Sequence, residues 1–470
     1  MSSAEVLGAV LEGICGHVTP IRVIKGGQEF EVGGPEAWGR AARVRVNRAL
    51  RSVGAVAPHV KLEPDTQVHA WGSSLDLAIA VAAASCRGLV LGDIRRTAFV
   101  GELSMDGKIL PTPGTLSMAV AVADAGCERL YVATGVAAGV AGVGVEAALE
   151  SRLTVIPVSS FGDLLEAING APTVLAHPAE SPTVPAFAPS FLGDPVALRA
   201  VEVAAVGGHG ILLIGPHGVG KTVLGRILRD LLPPPFPDEA LEITMIHSAC
   251  GLLLDRPGLV AHRPFRAPHH TCSTAALVGG GTPLRPGEVT LAHNGVLLLD
   301  EVTEFTSASL EAVAAALADG EVVHSRHDRR VVFPSSAQLV ATATACPCGR
   351  LGSVDLGKTC MCSRDSIARH QARIDRLREF LPITAHVRAS THSNTEYSIS
   401  AGRDRVASAR AIRAERIGSD GWYVSTADPD WVGDERAHRI ARTIADLEGS
   451  ATVTERHHAE AISILNGPHR

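Results

Sequence analysis

A chain of 470 residues has room for about two to four domains and more than one buried core. Its 46% hydrophobic and 20% charged content fits a globular α/β protein and excludes a disordered one. A net charge of −6 excludes a protein that coats nucleic acid non-specifically, so any DNA or RNA contact must be local, in a loop or a pore lining.

No apolar run reaches the ~18 residues of a membrane span. The opening segment "MSSAEVLGAVLEGICGHV" lacks a basic stretch and predicts no secretory leader. Nine cysteines without a leader predict reduced thiols and a cytoplasmic protein. Residues 1–170 read as mixed α/β, with strands at "LYVATGV" and "LTVIPV" and an Ala-rich helix from Leu75 to Ala84. Residues 171–191 carry five prolines and almost no periodicity, which predicts a linker.

Residues 192–388 hold the motifs that carry chemistry. In "ILLIGPHGVGKTVLG", Ile211 to Ile214 form a short buried strand of the parallel-sheet kind. Gly215, Pro216, His217, Gly218, Val219, Gly220, Lys221 and Thr222 then fit Gly-x-x-x-x-Gly-Lys-Thr. Val223, Leu224, Ile227, Leu228, Leu231 and Leu232 follow at helical spacing until the prolines at 233 to 235 stop the helix. Strand, loop and helix in that order aim backbone N–H groups and a helix N-terminus at nucleotide phosphates. Lys221 is expected on the β- and γ-phosphates and Thr222 on Mg²⁺, which makes ATP and Mg²⁺ the predicted cofactors. An accidental glycine-rich turn is the bland alternative, and the flanking strand and helix argue against it.

Downstream, "GVLLLDE" is an apolar strand ending in Asp300 and Glu301. One carboxylate can orient the Mg²⁺ shell while the other polarises the attacking water. Open α/β sheets bind ligands at this end of their strands. Solvated acids at an ordinary strand end are the alternative. Cys346 and Cys348, then Cys360 and Cys362, form C-x-C pairs with eleven residues between them. They read either as a tetrahedral Zn²⁺ site or as a loop of free thiols. His269 and His270 are adjacent and read as structural or DNA-side hydrogen-bonders, not as a metal pair. Residues 389–470 turn polar and helical, with Ala437, Ile440, Ala441 and Ile444 on one helical face and Gly449 placed to end that helix.

The stretch "RPFRAPHHTCSTAALVGGGTPLRPGEVTLAHNGVLLLDEVTEF", residues 263–305, closely resembles the YifB/ComM family, the magnesium-chelatase-like branch of the AAA+ ATPases. "GELSMDG" (101–107), "CPCG" (346–349) and "ARTIADLEG" (441–449) resemble that family's landmarks too. The resemblance implies a Lon-protease-like domain over 1–170, an AAA+ core with a helix-2 insertion over 192–388, and a helical lid over 389–470. It also implies a homo-hexameric ring, and a motor that pushes branch points in single-stranded or branched DNA during recombination. In "DGEVVHSRHDRRVVFP" (319–334) it implies a pore-facing hairpin whose Arg326, Arg329 and Arg330 contact a phosphodiester backbone. A solvated β-turn is the other reading.

The chain departs from the family at several points. Thr344 stands where an asparagine helps position the attacking water. The family's "SGPLLDRID", which carries an arginine finger, is replaced by "ARIDRLREFLPITAHV". Arg373, Arg376 and Arg378 lie nearby, none in clean alignment, and a missing finger forfeits ~10³ or more in rate. Arg436 is the candidate for the second sensor arginine, a contact to bound nucleotide. "SFLGDPVALRAVEVAAVGGHG" lacks the usual Gly-Gln. Ser74 falls near a Lon-type serine position, but Leu116 takes the place of the catalytic lysine, so no peptidase is expected. The expected activity is therefore slow ATP hydrolysis, with an ATP-binding scaffold or a chelatase-like protein remodeller as alternatives.

Overall fold

The computed structural model describes residues 6–25, 29–65, 71–136, 153–175, 190–253, 259–281, 284–326, 329–353, 359–378, 380–388, 395–417 and 434–466. Most of the expected linker, residues 176–189, lies outside them. No described helix is long and apolar enough to cross a membrane. The chain divides into two compact units, Met1–Thr183 with Phe236–Ala261 and Ser325–Val331, and Val184–Pro235 with His262–His324 and Val332–Arg470.

The first unit is built on a seven-stranded mixed sheet. Its order is Glu31–Val32, Val60–Pro64, Cys15–Lys25, Val6–Glu12, Thr97–Val100, Arg129–Ala133 and Thr154–Val158. Val6–Glu12 and Cys15–Lys25 form an antiparallel hairpin, and the last three strands run parallel. The Ala-rich segment is a helix over Asp76–Cys86, with Asp76 through Ala84 all buried. A helix apolar on every side belongs inside a core, and small alanines let strands approach it closely. Asp76 pairs with Arg45 at 2.5 and 3.0 Å, yet burial outweighs that pairing and pushes its carboxyl up to about 6.

Ser74 donates its hydroxyl to the Ala9 carbonyl at 2.9 Å. Leu116 is buried with Ala240 and Leu259. The helix Pro237–Ala249 thus packs on the helix that carries Leu116, and Gly114 N–H donates to Ser248 O at 2.8 Å. This explains a difference from the sequence-based division. Residues 236–261 fall inside the 192–388 span but group with the first unit.

The second unit contains a five-stranded, wholly parallel sheet. Its strands are β1 (Ile211–Ile214), β2 (Phe265–Arg266), β3 (Val296–Leu299), β4 (Gln338–Ala343) and β5 (Ile383–His386), in the order β2-β3-β4-β1-β5. Alternate residues serve opposite faces, as strand geometry requires. Ile211, Leu213, Leu298 and Val340 enter one core, while Leu212, Leu297, Leu299 and Ala341 enter the other. With helices on both faces, the strands read as continuous apolar runs.

Helix α1 (Pro195–Gly207) starts at Asp194, whose carboxylate accepts from Val196 N–H, and closes on left-handed Gly208. α2 (Lys221–Leu231) follows the phosphate loop. α3 (Ser307–Asp319) and α4 (Arg364–Leu377) flank the acidic strand and the cysteine segment in sequence. α5 (Ile399–Ile417), α6 (Glu435–Leu447) and α7 (Glu455–Asn466) follow in the same unit. Ala437, Ile440, Ala441 and Ile444 make the buried stripe of α6, as their spacing predicts. Gly449 follows that helix at φ 67°.

Candidate functional site

The candidate site lies where β1, β3 and β4 end, at the carboxyl edge of the parallel sheet. Gly215 leaves β1 with its N–H donating to Ala343 O at 3.1 Å, and a Cβ there would stand 2.4 Å from Val387 O. Gly218 and Gly220 adopt φ values of 79° and 90°, a left-handed backbone that glycine takes without strain. Between them and β1, His217 N–H donates to Gly349 O at 3.0 Å.

Lys221 is buried at the first turn of α2 and donates to the carbonyls of Gly215 at 2.9 Å and Pro216 at 2.8 Å. Burial lowers its pKa from the ordinary lysine value, and the charges of Asp300 and Glu301 act the other way. The neighbouring Thr222 Oγ1 reaches Asp300 Oδ1 and Oδ2 at 3.2 and 3.1 Å. Thr222 and the first acid of the pair are thus in direct contact.

Sequence reasoning missed a residue on the other side of Asp300. Thr342 Oγ1 donates to Asp300 Oδ1 at 2.5 Å and accepts from Glu301 N–H at 2.9 Å. Strand register sets this up. Leu299 pairs with Ala341, so the next residues along, Asp300 and Thr342, come level. Glu301 itself sits at φ 51° and ψ 54°, a left-handed conformation rare for a residue with a Cβ. Its carboxylate lies 3.6 Å from His217 Nδ1, and both side chains are about half exposed.

Thr344, the expected water-positioning residue, uses its hydroxyl elsewhere. Its Oγ1 donates to Cys346 O at 2.8 Å, and its carbonyl bonds His370 Nε2 at 2.8 Å. The threonine in contact with the acidic pair is Thr342.

The candidate arginines are spread out. Arg373 donates to Phe305 O at 3.3 Å, and Arg378 lies 3.5 Å from Asp375. Arg376 lines a cavity of about 340 Å³ with Thr303 and Glu311. Arg436 lines a second cavity, of about 490 Å³, beside Gly208, His209, Ser336 and Pro382. Those neighbours precede β1, β4 and β5, so the cavity opens at the amino edge of the sheet. Within one chain, Arg436 and Lys221 therefore stand at opposite edges. α6 docks its N-terminal turn at that amino edge.

Glu321–Arg326 and Arg329–Pro334 form a two-stranded sheet, with Arg330 exposed. The turn residues 327–328 and the side chains of Arg326 and Arg329 lie outside the described part. The rings of His269 and His270 lie 4.1 Å apart, tilted by 34°, and His269 Nδ1 meets Thr271 Oγ1 at 2.9 Å.

The four cysteines do converge. Sγ of Cys346 lies 3.4 Å from that of Cys348 and 3.6 Å from that of Cys360, and Cys348 to Cys360 is also 3.6 Å. With Cys362 included, all four sulfurs lie within 4.8 Å of one another. The backbone of Arg350 pulls the Cys348 thiol down, whereas the neighbouring Cys360 and Cys362 thiols are pushed up. These sulfurs are too far apart for disulfides, whose S–S bond is about 2.05 Å.

Comparison with known proteins bears on the same segments. The family described as "Magnesium chelatase, subunit ChlI" matches residues 189–395, "Subunit ChlI of Mg-chelatase" matches 20–135, and the ChlI C-terminal family matches 433–464. The uncharacterized protein Rv2897c of Mycobacterium tuberculosis is 36% identical over 401 residues, 82% of this chain and 77% of that protein. YifB of Salmonella typhimurium is 31% identical over 470 residues, and the competence protein ComM of Haemophilus influenzae 31% over 477. Each of those two alignments covers 92% of this chain and 90% of the relative. With that coverage, and with the phosphate loop and acidic pair side by side, the chain belongs to the YifB/ComM family of magnesium-chelatase-like proteins, of AAA+ ATPase type.

Proposed function

We propose that the chain binds ATP with Mg²⁺ at the 215–222 loop, hydrolyses it slowly, and acts as a homo-hexameric motor on single-stranded or branched DNA. The observation that carries this reading is the Asp300 carboxylate, held between the hydroxyls of Thr222 and Thr342 with Glu301 beside it. Two hydroxyls and a carboxylate are hard oxygen donors of the kind Mg²⁺ takes with nucleotide phosphates. The loop fits the nucleotide as well. Its glycines leave the N–H cradle open, and Lys221 waits on two loop carbonyls that phosphate oxygens would replace.

In this mechanism α2 presents its N-terminus to the phosphates, and Lys221 moves from Gly215 O and Pro216 O onto the β- and γ-oxygens. Thr222 and Asp300 would hold Mg²⁺, which supplies charge neutralisation on the phosphoryl oxygens. Glu301, oriented through its bonded N–H, accepts the proton of the attacking water. The same reading includes a Lon-like fold for residues 1–170 with no peptidase, a lid formed by 389–470, and a cytoplasmic location. A substrate of DNA is supported by the arginines of the 321–334 hairpin.

One observation favours a second reading, an ATP-binding scaffold. Arg373 and Arg378 are engaged with Phe305 and Asp375, and Arg436 stands at the far edge of the sheet. Steady-state ATP hydrolysis with and without single-stranded and forked DNA, beside a Glu301→Gln control, separates the two. Turnover that rises with DNA and disappears in the control supports the motor. Turnover equal to the control despite ATP binding supports the scaffold. Stimulation by a protein partner and not by DNA points to a remodeller.

A further inference from the structure

The cysteine cluster is joined to the phosphate loop by a short chain of contacts. Cys346 accepts a hydrogen bond at its sulfur from Leu351 N–H at 3.4 Å, and at its carbonyl from Gly349 N–H at 3.0 Å. Thr344 adds its hydroxyl to the same carbonyl. The loop is thereby folded so that Gly349 O faces the phosphate loop and accepts from His217 N–H at 3.0 Å. Gly349 has φ 68°, and a Cβ there would fall 1.9 Å from His217 Cδ2 and Nε2. A residue with a Cβ would have to displace the His217 ring. On its far side the His217 ring faces Glu301 at 3.6 Å.

The sulfurs themselves have metal geometry. Tetrahedral Zn²⁺ with bonds of about 2.3 Å to thiolates has sulfur–sulfur edges of about 3.8 Å. Three of the separations, 3.4, 3.6 and 3.6 Å, sit close to that edge and well beyond any disulfide. Backbone N–H donation to a ligand sulfur is the outer-shell contact that orients it, and soft thiolate sets select zinc over hard cations. A C-x-C pair alone has too short a reach to close four ligands. The fold brings two such pairs together across the 349–359 segment.

We propose that Cys346, Cys348, Cys360 and Cys362 bind one Zn²⁺, releasing their thiol protons to solvent, and that this ion braces the phosphate loop through Gly349 and His217. His217 is then a positioning residue, holding both the loop backbone and the space beside Glu301. The metal half stands alone, whereas the consequence for nucleotide rests on the reading of the loop given above.

The test uses the full chain purified under reducing conditions. Elemental analysis should find one zinc per chain, and Cys348→Ser with Cys360→Ser should bring it near zero. Hydrogen exchange of the peptide containing His217 should speed up about tenfold in that double variant, a loss of about 1.4 kcal/mol of local protection. Gly349→Val should keep its zinc and show the same faster exchange, which excludes general unfolding as the cause. Fluorescent ATP-analogue affinity should weaken in both variants. Absence of zinc, or pairing of the thiols as disulfides in the purified chain, overturns the metal site. Zinc present with unchanged exchange at His217 in both variants overturns the brace. Failure of the nucleotide titration in the unaltered chain counts only against the loop reading, since metal content and exchange are read without nucleotide.

Discussion

Thr342 and Asp300 share a hydrogen bond of 2.5 Å, and the same threonine oxygen takes the N–H of Glu301 at 2.9 Å. One hydroxyl on β4 therefore fixes both acids at the end of β3. It also explains how Glu301 is kept at a φ of 51°, since the bond compensates part of the cost of a left-handed backbone. Thr342→Val has nearly the same shape and removes both bonds. Turnover is expected to fall about 10- to 100-fold, with ATP affinity changed far less, because the loop is untouched. The fold should lose about 1–2 kcal/mol. Thr342→Ser should restore turnover. A valine variant with normal kcat would remove Thr342 from the site.

Lys221 and Glu301 are expected to fail differently. On the proposed function, Lys221→Ala removes the cation that would meet the phosphates, so binding of a fluorescent ATP analogue should weaken by more than tenfold. Glu301→Gln keeps the loop and the hydroxyl–Asp300 contact, so it should bind ATP normally and lose about 10²- to 10⁴-fold in turnover, the usual contribution of a general base. Equal loss of binding in both variants would mean the carboxylate holds nucleotide and does not act on water.

Much of this site was legible because local patterns determine it. A buried strand, a glycine turn and a helical repeat specify the phosphate loop over consecutive residues, and the apolar run before Asp300 and Glu301 specifies where both acids emerge. Thr342 was not legible. In "QLVATATACPCG" both Thr342 and Thr344 point to one side of the strand, and only the register of β3 on β4 decides which one meets Asp300. The position of Arg436 was not legible for a related reason. The stripe on α6 predicts that the helix packs, but it carries no information about which sheet edge receives its first turn. Residues 236–261 follow the same rule, since Ala240 meets Leu116 across more than 100 residues of sequence, by a contact no periodicity encodes.

The hairpin arginines give a prediction that salt can read. If Arg326, Arg329 and Arg330 each neutralise one phosphate of a single strand, replacing all three with alanine removes about two units from the slope of log K against log salt. Affinity should fall similarly for unrelated sequences, since backbone contacts carry no base information. Anisotropy of a labelled oligonucleotide at several salt concentrations measures both. An unchanged slope would make the ribbon a solvated turn.

His209 supplies a pH dependence. It lines the cavity at the amino edge of the sheet, with Nε2 at 2.9 Å from Thr443 Oγ1. Desolvation, then the charges of Arg413 and Arg439, push its pKa down to about 3. The unfolded chain would protonate this ring near pH 6.5. Between those values the unfolded state binds more protons, so the His209 contribution is complete above about pH 6.5 and is lost as pH falls toward 3. The loss is at most about 1.4 kcal/mol per pH unit. His209→Gln retains a polar group for Thr443 but cannot take the proton. Its melting temperature should therefore drop less than that of the unaltered chain between pH 7.5 and pH 5. Identical drops in the two proteins would show that the ring titrates as it does in water and that the cavity does not shield it.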